Sequence, residues 1–404
     1  MKTENGQIKF WYALIQIMLW GGYGVTICYC SNFLKSMDFM DSHVSIVLGA
    51  ASALAIVVQL FLAELIQKIR KLSTGKVIAG QAGILLLSGV LMLENPNMAF
   101  VAAAGIGIGC VVLQTIPSLA NSLATESEQS GYAVNFPIAR GMGSLAYSVV
   151  SFMTGRLIGN AGIKIIAILT IMTGAVLCLS AVMFEGNTEN RKNAQKAMPE
   201  NEKEEKVREA GQESAQAFFA KYPFLILFLA GSILLYINHN LVSTFMQQII
   251  ESKGAGAGEQ GTAIAISGIM ELPAMFGFSY LLRKASCAKW VRVSGWCFLI
   301  KAVLILLAPN YIWIYIAQIF QMGGFAIYTV SSVEYIGSVI EAEDAVRAQT
   351  YLATTMTAGS LIAMLTGGFI CQYAGVNIMT GTAAILAAAG LAVICMATKK
   401  KEQY

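Results

Sequence analysis

The sequence is short of charge. Only 12% of its 404 residues are Asp, Glu, Lys or Arg, whereas an ordinary soluble domain has about 25%. A chain with so little charge cannot cover itself with a hydrated surface, so its surroundings must be largely lipid. This shortage excludes a soluble enzyme, a secreted disulfide-linked domain and a nucleic-acid-binding domain.

The sequence also lacks the motifs of catalysis and cofactor binding. It contains no HExxH, GxSxG or Walker pattern, and no strand pattern precedes the glycine-rich run GIGIGC at 105–110. Most of the eight cysteines lie inside apolar runs, and His43 and His239 are the only histidines, so no metal-binding spacing is present. We therefore expect no enzymatic activity, no cofactor and no metal.

Long apolar runs are abundant instead, and a helix that crosses a membrane needs about 20 such residues. Twelve runs of this kind predict an all-α membrane protein with twelve transmembrane helices. They lie at approximately 10–34, 43–66, 76–94, 98–123, 136–158, 163–184, 222–250, 261–282, 289–308, 311–339, 349–372 and 376–397. The first, seventh and tenth runs are longer than a bilayer requires, so we expect these helices to tilt or to extend beyond it.

The basic residues predict the orientation of the chain. When the twelve spans alternate, 21 of the 27 Lys and Arg residues fall on the side that holds both termini, and only four fall on the other side. Cytoplasmic loops carry such an excess of Lys and Arg. We expect both termini in the cytoplasm and the chain in a bacterial cytoplasmic membrane, surrounded by lipid.

A stretch of mixed charge divides the spans into two sets of six. Between Glu185 and Lys221 there are 8 acidic and 7 basic residues, which is typical of a mobile hydrophilic linker. We predict a six-helix bundle over 1–184, a cytoplasmic linker over 185–221 and a second six-helix bundle over 222–404. This layout is typical of transporters with two homologous halves, although any multi-span protein could also have one long loop.

Four ionisable residues lie within the predicted spans: Glu271, Lys301, Arg140 and Glu334. Each costs about 2.5–3.5 kcal/mol on insertion scales, so each needs a partner, a cavity or a function. Glu271 and Lys301 could neutralise each other, either as a static ion pair or as part of a functional site. Arg140 and Glu334 lie nearer the predicted cytoplasmic ends, where a side chain can also extend to the interface.

Uncharged polar and aromatic residues also lie in the spans. They are Gln114, Asn121, Asn238, His239, Asn240, Gln321, Trp20, Tyr23 and Tyr147. Carboxamides together with flat aromatic rings suit a neutral solute with several hydroxyl groups. Taken singly, each polar residue is equally typical of contacts between helices.

Several short motifs resemble a known family. The twelve-span layout resembles the major facilitator superfamily. Within it, GEQGT at 258–262 followed by ISGIMEL, and ARGMGSLAYS at 139–148, resemble the oligosaccharide:proton symporter (lactose permease) group. The resemblance implies a sugar-binding and coupling role for Glu271, an intramembrane base at Lys301 and sugar contacts at Arg140 and Tyr147. GGYG at 21–24 implies a further aromatic contact at Tyr23.

The sequence departs from that group at several positions. Asn121, Gln321 and Gly324 replace charged residues of its fourth and tenth spans, and Gln67 replaces the aspartate usual between spans two and three. LWGGYG at 19–24 and NFPIAR at 135–140 also resemble the nucleoside:proton symporters. The solute class is therefore open between sugars and nucleosides.

We accordingly expect a monomeric secondary transporter that takes up a small sugar or oligosaccharide with a proton, by alternating access. The alternatives are a nucleoside:proton symporter, a sugar or drug exporter of the same fold, and a membrane sensor that does not transport. The expected solute contacts are Tyr23, Asn121, Arg140, Tyr147, Asn240, Glu271 and Gln321. The expected proton-coupling residues are Glu271, Lys301 and Glu334.

Overall fold

The computed structural model describes residues 2–69, 72–93, 98–129, 134–195 and 215–399, and within these residues it is helical with no strand. Helices satisfy all their own backbone hydrogen bonds, as a segment in lipid must. The helices before the central charged stretch are α1 (Lys2–Gly22), α2 (Cys30–Lys35), α3 (Asp41–Lys68), α4 (Thr74–Met92), α5 (Ala99–Gln129), α6 (Phe136–Ala161) and α7 (Ile165–Gln195).

Nine more helices follow the central charged stretch. They are α8 (Ala215–Lys221), α9 (Pro223–Thr244), α10 (Met246–Glu251), α11 (Ala257–Leu282), α12 (Cys287–Leu306), α13 (Tyr311–Ile319), α14 (Ile327–Val339), α15 (Ala342–Ala374) and α16 (Val376–Lys399). Glycines with positive φ, Gly162 and Gly375, follow directly after α6 and α15. Glycine adopts this conformation without steric cost, so it ends a helix readily.

The predicted all-α membrane fold is confirmed, and each of the twelve apolar runs coincides with helical structure. Nine helical segments of the described residues are long and apolar enough to cross a membrane. The remaining three predicted spans correspond to α6, α11 and α12, of 26, 26 and 20 residues. These three helices carry Arg140, Glu271 and Lys301, which are three of the four ionisable candidate residues.

The first, seventh and tenth predicted spans are interrupted. A π-helical turn, Tyr23–Ile27, follows α1, and a second one, Met322–Ala326, separates α13 from α14. In the seventh span the helix breaks at Phe245, between α9 and α10. These interruptions were not predicted from the sequence, and the expectation that the three spans tilt or extend beyond the bilayer stays a prediction. A π turn adds one residue to a helical turn and rotates the side chains that follow it.

The described residues form two compact units. Unit 1 comprises 1–197 together with 246–269 and 364–372 of the second sequence half. In it α1 packs on α6 and α7, and α4 packs on α5 and α7. Its core includes the buried side chains of Tyr12, Leu85, Leu113 and Phe184. Burial of these side chains against neighbouring helices fixes the positions of α1 and α6, which carry candidate site residues.

Unit 2 comprises 198–245, 270–363 and 373–404. In it α9 packs on α16, and α12 packs on α14, α16 and the π turn Met322–Ala326. The buried rings of Phe228, Phe298, Tyr328 and Tyr335 lie in its core. The α12 contacts bring Lys301 to the π turn.

The predicted linker, 185–221, is partly helical. α7 continues to Gln195, and α8 occupies Ala215–Lys221, while 196–214 lie outside the described residues. The predicted division into bundles over 1–184 and 222–404 stays a prediction.

Candidate functional site

Three of the predicted residues meet in unit 2. The Lys301 ammonium on α12 donates to Gln321 Oε1 at 2.6 Å, and Gln321 Nε2 donates to Glu271 Oε1 at 2.9 Å. Lys301 is only 5% exposed and Gln321 only 3%. The structure thus links the predicted acid and base through an amide that accepts from the cation and donates to the carboxylate.

This bridge changes the chemistry expected of the pair. A buried ammonium or carboxylate is costly unless hydrogen bonds and an opposite charge compensate for its lost hydration. An ammonium has three donors and a carboxylate has about four acceptor sites, so each of the two groups can bond to more than one partner at a time. The network can therefore hold both charges and still bind a solute or exchange a proton.

The π turn Met322–Ala326 begins directly after Gln321. The Ala326 N–H donates to the Gln321 carbonyl at 3.2 Å, a bond that spans five residues instead of four. Gly324 of this turn lies in ordinary contact range of Phe298 on α12. The sequence MGGFA therefore forms a locally widened turn beside the network, a feature that is frequent at functional sites.

A second cluster lies in unit 1 around Arg140. Its guanidinium carbon lies 3.8 Å from the centre of the Trp20 ring, and its Nη1 donates to Ser144 Oγ at 2.6 Å. Gly143 allows this arrangement, since a Cβ there would lie 2.5 Å from Trp20 Cδ1. A guanidinium over an indole face is a favourable cation–π contact, so Arg140 is positioned by an aromatic ring.

A chain of hydrogen bonds holds Trp20 in place. The indole Nε1 donates to Gln16 Oε1 at 3.1 Å, Gln16 Nε2 donates to the Tyr12 hydroxyl at 2.9 Å, and that hydroxyl donates to the Ala120 carbonyl at 3.0 Å. The sequence reasoning missed Tyr12 and Gln16. Their spacing of four residues, continued to Trp20, places all three on one face of α1 and was the available signal.

The two predicted tyrosines also lie in unit 1. The Tyr23 ring packs against Trp20 with 5.4 Å between ring centres, so it joins the Arg140 cluster. The Tyr147 hydroxyl accepts a hydrogen bond from Cys28 Sγ at 3.3 Å. Tyr147 also lies against Gly268 of α11, where a Cβ would be 3.1 Å from the ring. The structure therefore brings Tyr23 to Trp20, the ring that carries Arg140, and it places Tyr147 next to α11.

Three predicted residues lie outside these clusters. Asn121 is exposed on α5, and Glu334 is exposed on α14. Asn240 is partly buried, and its Nδ2 donates to the Tyr236 carbonyl of its own helix at 2.8 Å. Their proposed roles in solute contact or coupling gain no support from these surroundings.

A further polar cluster in unit 1 joins residues that are distant in sequence. Asn32 Nδ2 donates to Gln260 Oε1 at 2.9 Å, and Gln260 Nε2 donates to the Cys28 carbonyl at 2.9 Å. Gln248 Nε2 lies 2.7 Å from Ser31 Oγ and 2.9 Å from Asp41 Oδ1. These amides attach α10 and the start of α11 to the first sequence half. No sequence pattern marked this cluster.

The described residues contain no group of three or more His, Cys, Asp or Glu that is placed to hold a metal ion. The eight cysteines are all free, and Cys30, Cys110 and Cys371 are buried. They pack as small apolar residues.

Comparison with known proteins agrees with this architecture. Residues 10–379 match the MFS_1-like family. The chain is 21% identical over 369 residues to a probable 3-phenylpropionic acid transporter of Escherichia coli (strain K12), covering 90% of this chain and 92% of that relative.

Solved structures share the fold. The nucleoside transporter NupG superposes with a TM-score of 0.71 at 14% identity, covering 99% of both chains. A bacterial homologue of the iron transporter ferroportin, in an inward-facing state, superposes with a TM-score of 0.71 at 10% identity, covering 97% of this chain and 98% of that one. At such low identity these likenesses show the fold alone.

Proposed function

We propose that this chain, which belongs to the MFS_1-like family of the major facilitator superfamily and is therefore a membrane transporter of a small solute, imports a sugar or oligosaccharide together with a proton. The proposed location of the protein is the cytoplasmic membrane of a bacterium, and the proposed transport mechanism is alternating access. The narrower likeness to the oligosaccharide:proton symporter group belongs to this proposal.

The observation that carries the proposal is the Lys301–Gln321–Glu271 network. Glu271 accepts from Gln321, and Gln321 accepts from a buried ammonium. A carboxylate in such surroundings can exist in either protonation state, because desolvation favours the neutral form and a nearby cation favours the charged form. A change in hydration between two conformations of the transporter would then load and release the proton at Glu271.

The solute would bind through the same groups. A carboxylate accepts from two sugar hydroxyls at once, and the Gln321 amide offers one donor and one acceptor. Unit 1 by itself offers a separate candidate set of solute contacts, because the Arg140 guanidinium and the Trp20 and Tyr23 rings supply donors and flat apolar faces. A solute whose hydroxyl groups replace Gln321 as the hydrogen-bond partner of Glu271 would couple its own binding to protonation of that carboxylate.

A second candidate solute is an aromatic monocarboxylate. The Arg140 cluster combines a cation with two aromatic rings, which fits a carboxylate attached to an aromatic ring. The Escherichia coli relative is named as a probable 3-phenylpropionic acid transporter. A nucleoside is the third class to test, because a nucleobase also stacks on flat rings.

The test is uptake into proteoliposomes of three labelled probes: lactose, uridine and 3-phenylpropionate. A pH gradient, alkaline inside, is imposed and then collapsed with a protonophore. We expect accumulation of lactose above its external concentration only while the gradient lasts. Uptake of uridine or 3-phenylpropionate in place of lactose would reassign the solute and leave the coupling intact.

Glu271→Gln tests the coupling residue. It removes the titratable group and keeps hydrogen bonding, so we expect gradient-driven accumulation to be lost while exchange of solute across the membrane continues. Glu259→Gln, on the same helix, is the matched control, because a glutamine there can still accept from the Gly256 N–H as Glu259 does. Gradient-driven accumulation by Glu271→Gln would contradict the coupling role.

A further inference from the structure

His239 has a fixed ring orientation in the middle of α9. Its ring stacks on Phe325 with 4.4 Å between centres and planes 15° apart, and it meets the Phe298 ring nearly edge-on at 6.1 Å. Phe298 belongs to α12 and Phe325 to the π turn. Contacts from two neighbouring elements therefore hold the imidazole in one plane.

The Nδ1 atom of His239 is buried and has no hydrogen-bond partner within the described part of the chain. Buried polar atoms are nearly always paired, and an unpaired one costs about 1–3 kcal/mol. Asn238 Oδ1 is also buried and unpaired, but the Asn238 side chain lies in the core with 3% exposure. His239 as a whole is only partly buried, so other atoms of its ring are accessible while Nδ1 itself is covered.

His239 lies beside the Lys301–Gln321–Glu271 network. Lys301 follows Phe298 by three residues on α12, and Gln321 precedes Phe325 by four residues, so each lies about one helical turn from a ring that His239 contacts. Lys301 is also close enough to act on His239 electrostatically. This covered, unpaired nitrogen near the network would meet the same solute once the surrounding helices move apart during alternating access.

We infer that His239 is a solute-binding residue that determines specificity, and this inference rests on the proposed transport function. Its Nδ1 forms a hydrogen bond with a polar group of the solute, and its ring is held for that contact by Phe325. The alternative is that a water molecule satisfies Nδ1 and His239 serves only in packing.

The presence of only two histidines makes a direct test practical. The purified chain is labelled with ¹⁵N-histidine, and His43→Gln leaves His239 as the single imidazole signal. Lactose, uridine and 3-phenylpropionate are then titrated separately. We expect at least one of them to shift the His239 Nδ1 resonance saturably. Absence of a saturable shift with all three probes would overturn the inference.

Two substitutions separate recognition from packing. His239→Phe keeps an aromatic ring against Phe325 and removes Nδ1, whereas His239→Asn keeps a polar nitrogen or oxygen near that position and removes the ring. For the probe that shifts the resonance, we expect at least about a tenfold rise in the dissociation constant of His239→Phe and a smaller rise for His239→Asn. Wild-type affinity in His239→Phe would also overturn the inference.

These outcomes are distinguishable from failure of the proposed function. If uptake by the wild-type protein does not depend on the pH gradient, the proposed proton coupling is wrong. The titration of the His239 imidazole with solute is unaffected by that result. A saturable shift without coupling would support His239 as a contact in an uncoupled carrier. The His239→Phe protein could fail to fold. In that case the titration of the ¹⁵N-labelled His43→Gln protein, in which His239 is unchanged, still decides whether His239 contacts the solute.

Discussion

At the scale of single residues, the two clusters stabilise a buried cation, Lys301, and a partly buried one, Arg140, in different ways. Lys301 donates to the amide of Gln321, which in turn donates to Glu271, whereas Arg140 lies over the Trp20 ring and donates to the hydroxyl of Ser144. An amide, a hydroxyl and an aromatic face thus compensate for part of the lost hydration of the two cations.

Arg140→Lys tests this arrangement in unit 1. The substitution keeps the charge and removes the planar guanidinium that stacks on Trp20 and binds acceptors in a fork. We expect about a tenfold or greater loss of affinity for the transported probe, since charge-assisted hydrogen bonds contribute about 1.5–3 kcal/mol each. The measurement is binding of that probe to the purified protein.

Arg156→Lys is the matched control for Arg140→Lys. Arg156 lies on the same helix and over an aromatic ring, that of Phe152, at 5.2 Å. We expect its substitution to leave affinity unchanged. Equal affinities for wild type and Arg140→Lys would remove Arg140 from the solute site.

At the scale of elements, the π turns stand next to candidate site residues in both sequence halves. Tyr23 begins the first turn, and Gln321 immediately precedes the second. Each turn contains glycine, and each follows a helix whose apolar run is longer than one bilayer crossing requires. The extra residue in a π turn changes which face the following side chains occupy, so each turn sets the direction of the helix face that continues beyond Trp20 or Gln321.

The short helix α8 is attached to the start of α15 by charge. Lys221 Nζ lies 2.7 Å from Glu341 Oε2 and 2.8 Å from Asp344 Oδ2, and the Tyr222 hydroxyl donates to Asp344 at 2.9 Å. The hydrogen bond from Lys221, and then that from Tyr222, holds the pKa of the Asp344 carboxyl below its ordinary value. The same bonds raise the pKa of the Lys221 ammonium.

This attachment has a defined pH dependence. A carboxyl whose pKa is lowered by folding stabilises the protein above its ordinary pKa, and it loses that contribution as the pH falls through the lowered value. We expect Lys221→Gln to lower the melting temperature by no more than about 3 °C at pH 7, because exposed ion pairs contribute little. The difference from wild type should begin to shrink as the pH falls below about 4, and it should vanish only below the lowered pKa of Asp344.

The comparison requires a control lysine in the same unit. Lys284 stacks on the Tyr280 ring at 5.3 Å, so Lys284→Gln removes a charge from a different environment. Melting of all three proteins in detergent is followed at pH 7 and again in acid. A difference between wild type and Lys221→Gln that persists in acid would show that the Asp344 carboxylate is not its cause.

At the scale of the whole molecule, the unequal distribution of Lys and Arg residues between the two sides of the membrane predicts how the chain is oriented. Four basic residues lie on the predicted outer side. One of them, Lys35, pairs with Glu251 at 2.9 Å within unit 1. Few free positive charges then remain on that side. The positive-inside rule therefore predicts that the side carrying the central charged stretch is cytoplasmic.

Cysteine labelling checks this orientation. In a background without the eight native cysteines, a cysteine at Asn201 should react in intact cells only with a reagent that crosses the membrane. A cysteine at Lys253, in a predicted outer loop, should react with an impermeant reagent. Reaction of the Asn201 cysteine with the impermeant reagent would reverse the predicted topology.

The sequence by itself determined the helical class, the positions of the twelve spans and most of the polar residues to consider. These follow from local properties, because an apolar run of sufficient length must be helical in lipid whatever its neighbours are. Glu271, Lys301 and Arg140 were identifiable for the same reason, since a charge within such a run is costly and demands a partner.

Only the tertiary structure decided how those residues are partnered. Gln321 reaches both Lys301 and Glu271 because α11, α12 and the second π turn pack together, and Trp20 reaches Arg140 because Gly143 permits a close approach. The unpaired Nδ1 of His239 likewise depends on rings from two other elements. Hydropathy and spacing describe one helix at a time, whereas hydrogen bonds between spans depend on packing among residues distant in sequence.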